Sequence, residues 1–327
     1  MNKKISPIFL ISLPRSGSTL VQRVLANHPG IETTSEPWLL LPFLYTLKKK
    51  GVYAEYAHKE VFSAIREFIN ELPCGEADYL EEMRSFILAL YGKANKKKEV
   101  KYFLDKTPRY HLVLDKIMNM FPDARYILLW RNPLAIAASR METWGEGKWN
   151  LYRGKIDLYD GIINLTNIYE KYSDRFLAVN FENILHNPTY EWQRIFSYLN
   201  LEFTPEIIEN FSKIKLKGLH GDPTGVKRYD TISREPIEKW KKTLSNPVRK
   251  KWAKIYLHWI GEKRLDLMGY NYYDLLGELK NVPFSLKLLG SDFFRIIYGF
   301  FYCIFEPIFI LDKIKRFPYL RKLKIHT

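Results

Sequence analysis

Arg15, Ser16, Gly17, Ser18 and Thr19 stand side by side in Ser12-Leu-Pro-Arg-Ser-Gly-Ser-Thr-Leu20, a run built to bind an anion. The apolar run Ile8-Phe9-Leu10-Ile11 before it reads as a strand. Leu20, Val21, Val24 and Leu25 after it are spaced as one face of a helix that Pro29 ends. A strand, a turn of small residues and a helix N-terminus leave backbone N–H groups without intrahelical acceptors, and the helix dipole favours negative charge there. Arg15 adds a cation, and Ser16, Ser18 and Thr19 add hydroxyl donors. The expected guest is phosphate-like. Laid on the nucleotide loop G-x-x-x-x-G-K-[ST], the window keeps Gly17 and Thr19 but has Ser12 for the first glycine and Ser18 for the phosphate lysine. A triphosphate with magnesium needs that lysine and a metal-binding carboxylate, so the loop suits a less highly charged phosphate.

A second anion motif follows the strand-like run Tyr126–Trp130. In Arg131-Asn132-Pro133-Leu-Ala-Ile-Ala-Ala-Ser139, Asn132 can cap a helix that Pro133 begins. That puts Arg131 at the carboxyl end of a strand, where ligands of open α/β sheets bind, with Ser139 almost two turns along the helix. Glu36, in Thr33-Thr-Ser-Glu-Pro-Trp38, follows a weaker strand at Ile31–Thr33, and Asp105-Lys106-Thr107-Pro108 follows Tyr102–Leu104. If these strands run parallel to the first, Glu36 and Lys106 converge on the Arg15 loop. A carboxylate there can take a proton from a substrate hydroxyl, and a lysine can neutralise charge on a departing oxygen.

The Leu13-Pro14-Arg15-Ser16-Gly17-Ser18-Thr19-Leu20 stretch resembles the 5′-phosphosulfate loop of sulfotransferases that use 3′-phosphoadenosine 5′-phosphosulfate (PAPS), especially the protein-tyrosine and bacterial branches with P-R-S-G-[ST]-T. Arg131 followed by Ser139 resembles that family's 3′-phosphate motif. Glu36 matches its general base, Lys106 is similar to its lysine at the third strand end, and Val179-Asn-Phe181-Glu182-Asn-Ile184 resembles V-x-Y-E-D-L. The resemblance spans roughly residues 7 to 260. It implies metal-free sulfuryl transfer from PAPS, leaving PAP, with Glu36, Lys106 and Arg15 as the reacting groups. Residues 14–20, Arg131 and Ser139 would then hold the nucleotide. Phe181 and Asn183 depart from the pattern and receive no role. The loop expected to close on the nucleotide is placed at Gly221–Arg228, with Lys227 or Arg228 reaching the 3′-phosphate.

These groups need a scaffold. Strand-like runs at Ile8–Leu13, Ile31–Thr33, Tyr102–Leu104, Tyr126–Trp130 and Phe176–Val179 alternate with helical patterns, predicting an α/β fold. The expected architecture is a P-loop-type open, mostly parallel sheet with helices on both faces, a helical insertion over about 40–100 and a helical C-terminal region. Val61, Ile65, Phe68 and Ile69 mark a helix in the insertion. Trp252, Ile255, Tyr256, Trp259 and Ile260 are expected to form the buried face of a helix between Asn246-Pro247 and Gly261. Residues 1–275 are assigned to the α/β domain and 276–327 to an apolar and basic extension.

Fifty-one basic against 36 acidic side chains give a net charge of +15, which points to an anionic ligand or surface. The aromatic residues follow helical periodicity, so nucleic acid is not expected. Cys74 and Cys303 have no metal spacing and form no disulfide framework, and the N-terminal apolar run leads directly into the loop without a cleavage site. Both imply a cytoplasmic protein. Phe293–Leu311 is aromatic-rich but broken by Arg295, Glu306 and Pro307, and Asp312–Thr327 carries six basic residues and one acidic residue. That suits attachment to the inner, anionic face of a membrane rather than a crossing, with a helical hairpin on the sheet or a dimer contact as the alternative. A membrane-held protein makes the acceptor hydroxyl more at home on a glycan or glycolipid than on a protein. Two other functions stay open at this level: a P-loop-like kinase or NTPase, and a non-catalytic membrane- or polyanion-binding protein.

Overall fold

The computed structural model describes residues 5–54, 56–97, 99–214, 216, 233–305 and 310. Five strands form one sheet: β1 Ser6–Ser12, β2 Ile31–Thr33, β3 Tyr102–Asp105, β4 Arg125–Trp130 and β5 Phe176–Asn180. Their order is β2-β3-β1-β4-β5 and every pairing is parallel. All carboxyl ends therefore emerge on one edge. The chain leaves β1 for β2 on one side and later crosses to β4 on the other, so the loop after β1 lies at the switch in strand order, where such sheets open a crevice.

The strands are apolar along most of their length, with polar residues such as Ser6, Arg125, Asp105 and Asn180 at their ends, because both faces are covered. Alternate residues serve different cores. Ile8 and Leu10 join Leu104, Ile127 and Leu129 under α1 (Ser18–Asn27) and, further along the chain, Trp192 and Phe196. Phe9 and Ile11 join Phe103, Tyr126, Leu128 and Trp130 on the opposite face. That larger core is closed by helices from the insertion and the C-terminal half. The insertion supplies α2 (Leu40–Tyr45), α3 (His58–Asn70) and α4 (Glu76–Ala94), and α5 (Leu114–Met120) leads into β4. In α3, Ile69 is buried but Phe68 is largely exposed, so the apolar spacing there overstates the packed face.

Helix α6 (Pro133–Trp144) begins as its sequence predicts: Asn132 accepts a hydrogen bond from the Leu134 N–H at 2.9 Å, and Pro133 is the first helical residue. The remaining helices are α7 (Gly161–Lys171), α8 (Phe181–His186), α9 (Pro188–Tyr198), α10 (Pro205–Glu209), α11 (Glu235–Thr243), α12 (Pro247–Ile260), α13 (Glu262–Leu267), α14 (Tyr272–Lys280) and α15 (Leu289–Phe305). Helix α12 has the predicted Asn246 cap and Gly261 stop, but its buried stripe is shifted. Arg249, Ala253, Tyr256, Leu257 and Ile260 are buried, Trp252 is half-buried, and Ile255 and Trp259 are exposed. Trp259 instead lies against the Tyr159 ring at 4.7 Å between centroids. The bulk of the tryptophans suggested a face centred one position away from the true one.

At the end of β3 a fully buried carboxylate, Asp105, accepts hydrogen bonds from Tyr91 of α4 at 2.6 Å, from Tyr110 at 2.7 Å and from Thr107 at 3.1 Å. Burial pushes its pKa up to about 6, although the three hydroxyls and the Lys106 ammonium pull the other way. A carboxyl that holds its proton longer in the folded chain favours folding at low pH. That contribution is lost as the pH rises from about 4 to about 6. Burial drives His111 in the opposite sense, down to about 4, so its contribution is complete above about 6.5 and fades as the pH falls. The two slopes oppose, and a difference curve separates them. Between pH 4 and pH 6, wild type should lose roughly 2 kcal/mol of unfolding free energy relative to Asp105→Asn. Denaturant titrations across that window measure it, and a pH-independent difference would refute the assignment.

Candidate active site

Each strand delivers something to the crevice. After β1 the chain turns through Arg15 (φ 72°) and Gly17 (φ 88°), both left-handed, and the Ser16 N–H closes the turn on the Leu13 carbonyl at 3.3 Å. Glycine is required at 17 on two counts. Its φ is one that side chains rarely adopt, and a Cβ there would stand 2.1 Å from the Phe181 ring. Helix α1 starts at Ser18 with no side-chain cap, and while the Leu20 N–H donates to the Gly17 carbonyl at 3.0 Å, the Ser18 and Thr19 N–H groups have no intrahelical acceptor. The Ser16 hydroxyl is buried and has no hydrogen-bond partner among the described residues. A buried unpartnered hydroxyl beside an uncapped helix N-terminus is what a bound phosphate-type oxygen would satisfy.

Arg15 joins the two sequence motifs. Its Nε donates to the Ser139 Oγ at 3.2 Å, and its guanidinium lies 5.6 Å from the centroid of the Trp144 ring. Arg131, at the end of β4, donates through Nη1 to the Arg15 carbonyl at 2.7 Å and through Nη2 to the Pro236 carbonyl at 3.1 Å. It also stacks on Phe181, 4.9 Å from the ring centroid. The segment after β5 thus acquires a role that its sequence did not reveal. Phe181 fills the space beside Gly17 and carries Arg131, while Glu182 accepts from the Asn132 N–H at 3.0 Å and from the Tyr270 hydroxyl at 2.6 Å.

Glu36, after β2, is positioned by a residue the sequence reading overlooked. The side-chain amide of buried Gln22 in α1 donates to the Thr33 Oγ1 at 2.9 Å, the Thr34 carbonyl at 2.7 Å and the Ser35 carbonyl at 3.3 Å. The Glu36 carboxylate accepts from the Lys106 Nζ at 2.6 Å and from the Trp38 Nε1 at 3.2 Å. Lys106 is 1% exposed against 12% for Glu36, so the lysine reaches the crevice through the carboxylate it holds. Trp38 is itself left-handed (φ 53°), and its N–H is held by the Thr107 hydroxyl at 3.2 Å, which in turn donates to Asp105.

Two cavities meet at Arg15. The larger, about 350 Å³, is lined by Pro14, Gly17, Ser18, Thr19 and Leu20 of the loop and by Glu36. Its far wall is Trp38, Arg109, Arg140, Trp144 and Asp157. Asp157 binds Arg109 at 3.2 Å and Arg140 at 3.0 Å, which leaves that wall with net positive charge. The smaller cavity, about 130 Å³, holds Arg131, Ser139 and Lys239. The structure therefore brings together residues 14–20, Glu36, Lys106, Arg131 and Ser139. Lys227 and Arg228 lie outside the described residues. Lys239, Trp144, Arg109 and Asp157 escaped the sequence reading because helix periodicity and ion pairing account equally well for such residues in isolation.

A model of the sulfotransferase family matches residues 7–205. Nodulation protein NoeE of Sinorhizobium fredii is 38% identical over 149 residues, 44% of this chain and 34% of that protein. Protein-tyrosine sulfotransferase 1 of Danio rerio is 23% identical over 277 residues, 81% of this chain and 69% of that protein. The chain spans about a third of the length of the first two curated relatives it matches. The sulfotransferase domain from the curacin biosynthetic pathway superposes with a TM-score of 0.51 at 21% identity, over 73% of this chain and 91% of that domain, a likeness of fold.

Replacing Gly17 by alanine tests the loop directly. The Cβ must displace the Phe181 ring and adopt a left-handed φ, which together should cost roughly 1–3 kcal/mol in chemical denaturation. An unchanged midpoint would show that the loop yields without strain.

Proposed function

We propose that this chain, which belongs to the sulfotransferase family, moves a sulfuryl group from PAPS to an acceptor hydroxyl. The observation that carries the reading is Arg15. Its guanidinium lies on the wall shared by a cavity containing Glu36 and a cavity containing Arg131 and Ser139. That is the arrangement a donor with phosphates at both ends of a nucleoside requires. The buried Ser16 hydroxyl and the uncapped start of α1 suit the 5′ end, and Arg131, Ser139 and Lys239 suit the 3′-phosphate. Ser18 at the position of a phosphate lysine gives the kinase alternative no support.

The donor supplies an activated sulfuryl group whose leaving group is a phosphate oxygen. The chain's residues do the rest. Glu36 lines the acceptor cavity and keeps lone pairs beyond those used by Lys106 and Trp38, so it can take the hydroxyl proton as the acceptor oxygen bonds to sulfur. Arg15 and the N–H groups at the head of α1 stabilise the charge that grows on the departing phosphate. Lys106, held at 2.6 Å from Glu36, keeps that carboxylate in place and balances its charge until the proton arrives. On the acceptor side, Trp38 and Trp144 offer aromatic faces and Arg109 a cation, a wall suited to a glycan or a lipid-linked saccharide. Two free cysteines agree with a cytoplasmic setting.

Incubation with ³⁵S-labelled PAPS and fractions of membrane glycolipid, glycan and peptide should label the saccharide-containing fractions. Absence of transfer to every fraction would count against the reading. Glu36→Gln should lower kcat by about 10²- to 10⁴-fold while PAP affinity by calorimetry changes little. Arg131→Ala should weaken PAP binding more than it lowers kcat. Equal losses in both quantities for Glu36→Gln would remove it as the base.

A further inference from the structure

We propose that the outer face of α15 is a docking surface for an anionic lipid bilayer. Asp292, Arg295, Ile296, Gly299 and Tyr302 face the protein, at helical spacing. The other side carries Phe293, Phe294, Ile297, Phe300, Phe301, Ile304 and Phe305, each between 43% and 71% exposed. No charged residue interrupts that face. Phe284 and Leu286, in the segment leading into α15, are likewise 71% and 61% exposed. A contiguous exposed apolar patch on a monomer marks an interaction site, and seven such side chains lie along one side of this helix.

The face is held, not loose. Asp292, in the first turn of α15, is fully buried. Its carboxylate accepts from the Arg249 Nε at 2.6 Å and Nη2 at 2.9 Å, from the Asn246 Nδ2 at 2.6 Å and from the Trp149 N–H at 3.1 Å. A buried pair this completely bonded fixes one end of the helix to the core. Further along, Gly299 has no Cβ because one would stand 2.7 Å from the Tyr152 ring, and Tyr298 and Tyr302 close around that ring. The fold fixes one stripe of α15 firmly and presents the opposite stripe outward.

Charge selects the occupant. The chain carries +15, and Asp312–Thr327, which follows this helix in sequence, has six basic residues and one acidic residue. Basic charge beside an aromatic apolar face complements anionic headgroups over acyl chains, each basic residue near such a surface adding about 1 kcal/mol. A second copy would instead bring two strongly positive chains together. No helix of the described residues is long and apolar enough to cross a membrane, and α15, about 25 Å long, fits lying in the interface.

The docking stands apart from the assignment of activity, whereas its consequence for the acceptor rests on that assignment. Helix α15 lies on the 3₁₀ turn Leu151–Gly154. A Cβ at Gly154 would stand 2.3 Å from the Arg140 Nε, and Arg140 lines the Glu36 cavity. A single turn thus separates the membrane face from the acceptor wall, which favours acceptors held at a bilayer.

The full chain is sedimented with vesicles of phosphatidylcholine alone and of phosphatidylcholine mixed with phosphatidylglycerol. Wild type should partition onto the mixed vesicles and less so at high salt. Phe294→Glu with Phe301→Glu should lower that partition roughly tenfold or more while the unfolding midpoint holds, both side chains being exposed. The emission that Phe300→Trp adds to that of the eight native tryptophans, taken as a difference from wild type, should shift to the blue and be quenched by brominated lipid, a readout independent of whether the double variant folds. The proposal is overturned if wild type ignores mixed vesicles, if it binds neutral ones equally, or if the tryptophan stays unquenched. It is equally overturned if light scattering finds a dimer that the double variant dissolves.

Discussion

The site depends on a carboxylate that never meets solvent. Asp105 gathers two tyrosine hydroxyls and a threonine hydroxyl at the end of β3, and its desolvation is tolerable only because all three donate to it. Through Thr107 it fixes the backbone of Trp38, and the Trp38 indole holds one oxygen of Glu36. The adjacent residue, Lys106, holds the other. A buried acid on one strand therefore sets the orientation of a carboxylate that follows a different strand, 69 residues earlier.

The crevice is built from residues in unfavourable backbone geometry. Arg15 and Trp38 both sit at positive φ without being glycine, and both line the same cavity. Such conformations cost on the order of 1–3 kcal/mol each and persist where the surroundings determine them. Here the determinants are visible: Arg131 grips the Arg15 carbonyl, and Thr107 grips the Trp38 N–H. Part of the stability of the two cores is spent on holding these groups in place.

Much of this was legible in the amino-acid order because it rests on local rules. The five strands announced themselves as apolar runs, the loop by its small residues before a helix, and α6 and α12 by Asn-Pro caps. What stayed hidden depends on long-range packing. Gln22 looks like an ordinary polar residue on a helix until β2 is laid beside α1. Phe181 looked like a departure from a motif until Gly17 was seen to need a flat ring beside it. The stripe on α12 was misplaced because hydrophobicity alone does not say which of two neighbouring rows meets the sheet. Arg109 and Asp157 are 48 residues apart and pair only once the 3₁₀ and π-helical turns after α6 bring them together.

One guanidinium borders two compartments, and this limits how the protein can change. Substitutions at Arg15 disturb both compartments at once, so no variant there can trade one property for the other. On the far wall Trp144 lies against that guanidinium, whereas Arg109 and Asp157 carry no such obligation. Trp144, Arg109 and Asp157 border the larger cavity but not the smaller one. Under the proposed activity, selectivity toward the molecule entering that cavity is the part open to retuning by substitution, while Arg15 stays tied to both sides.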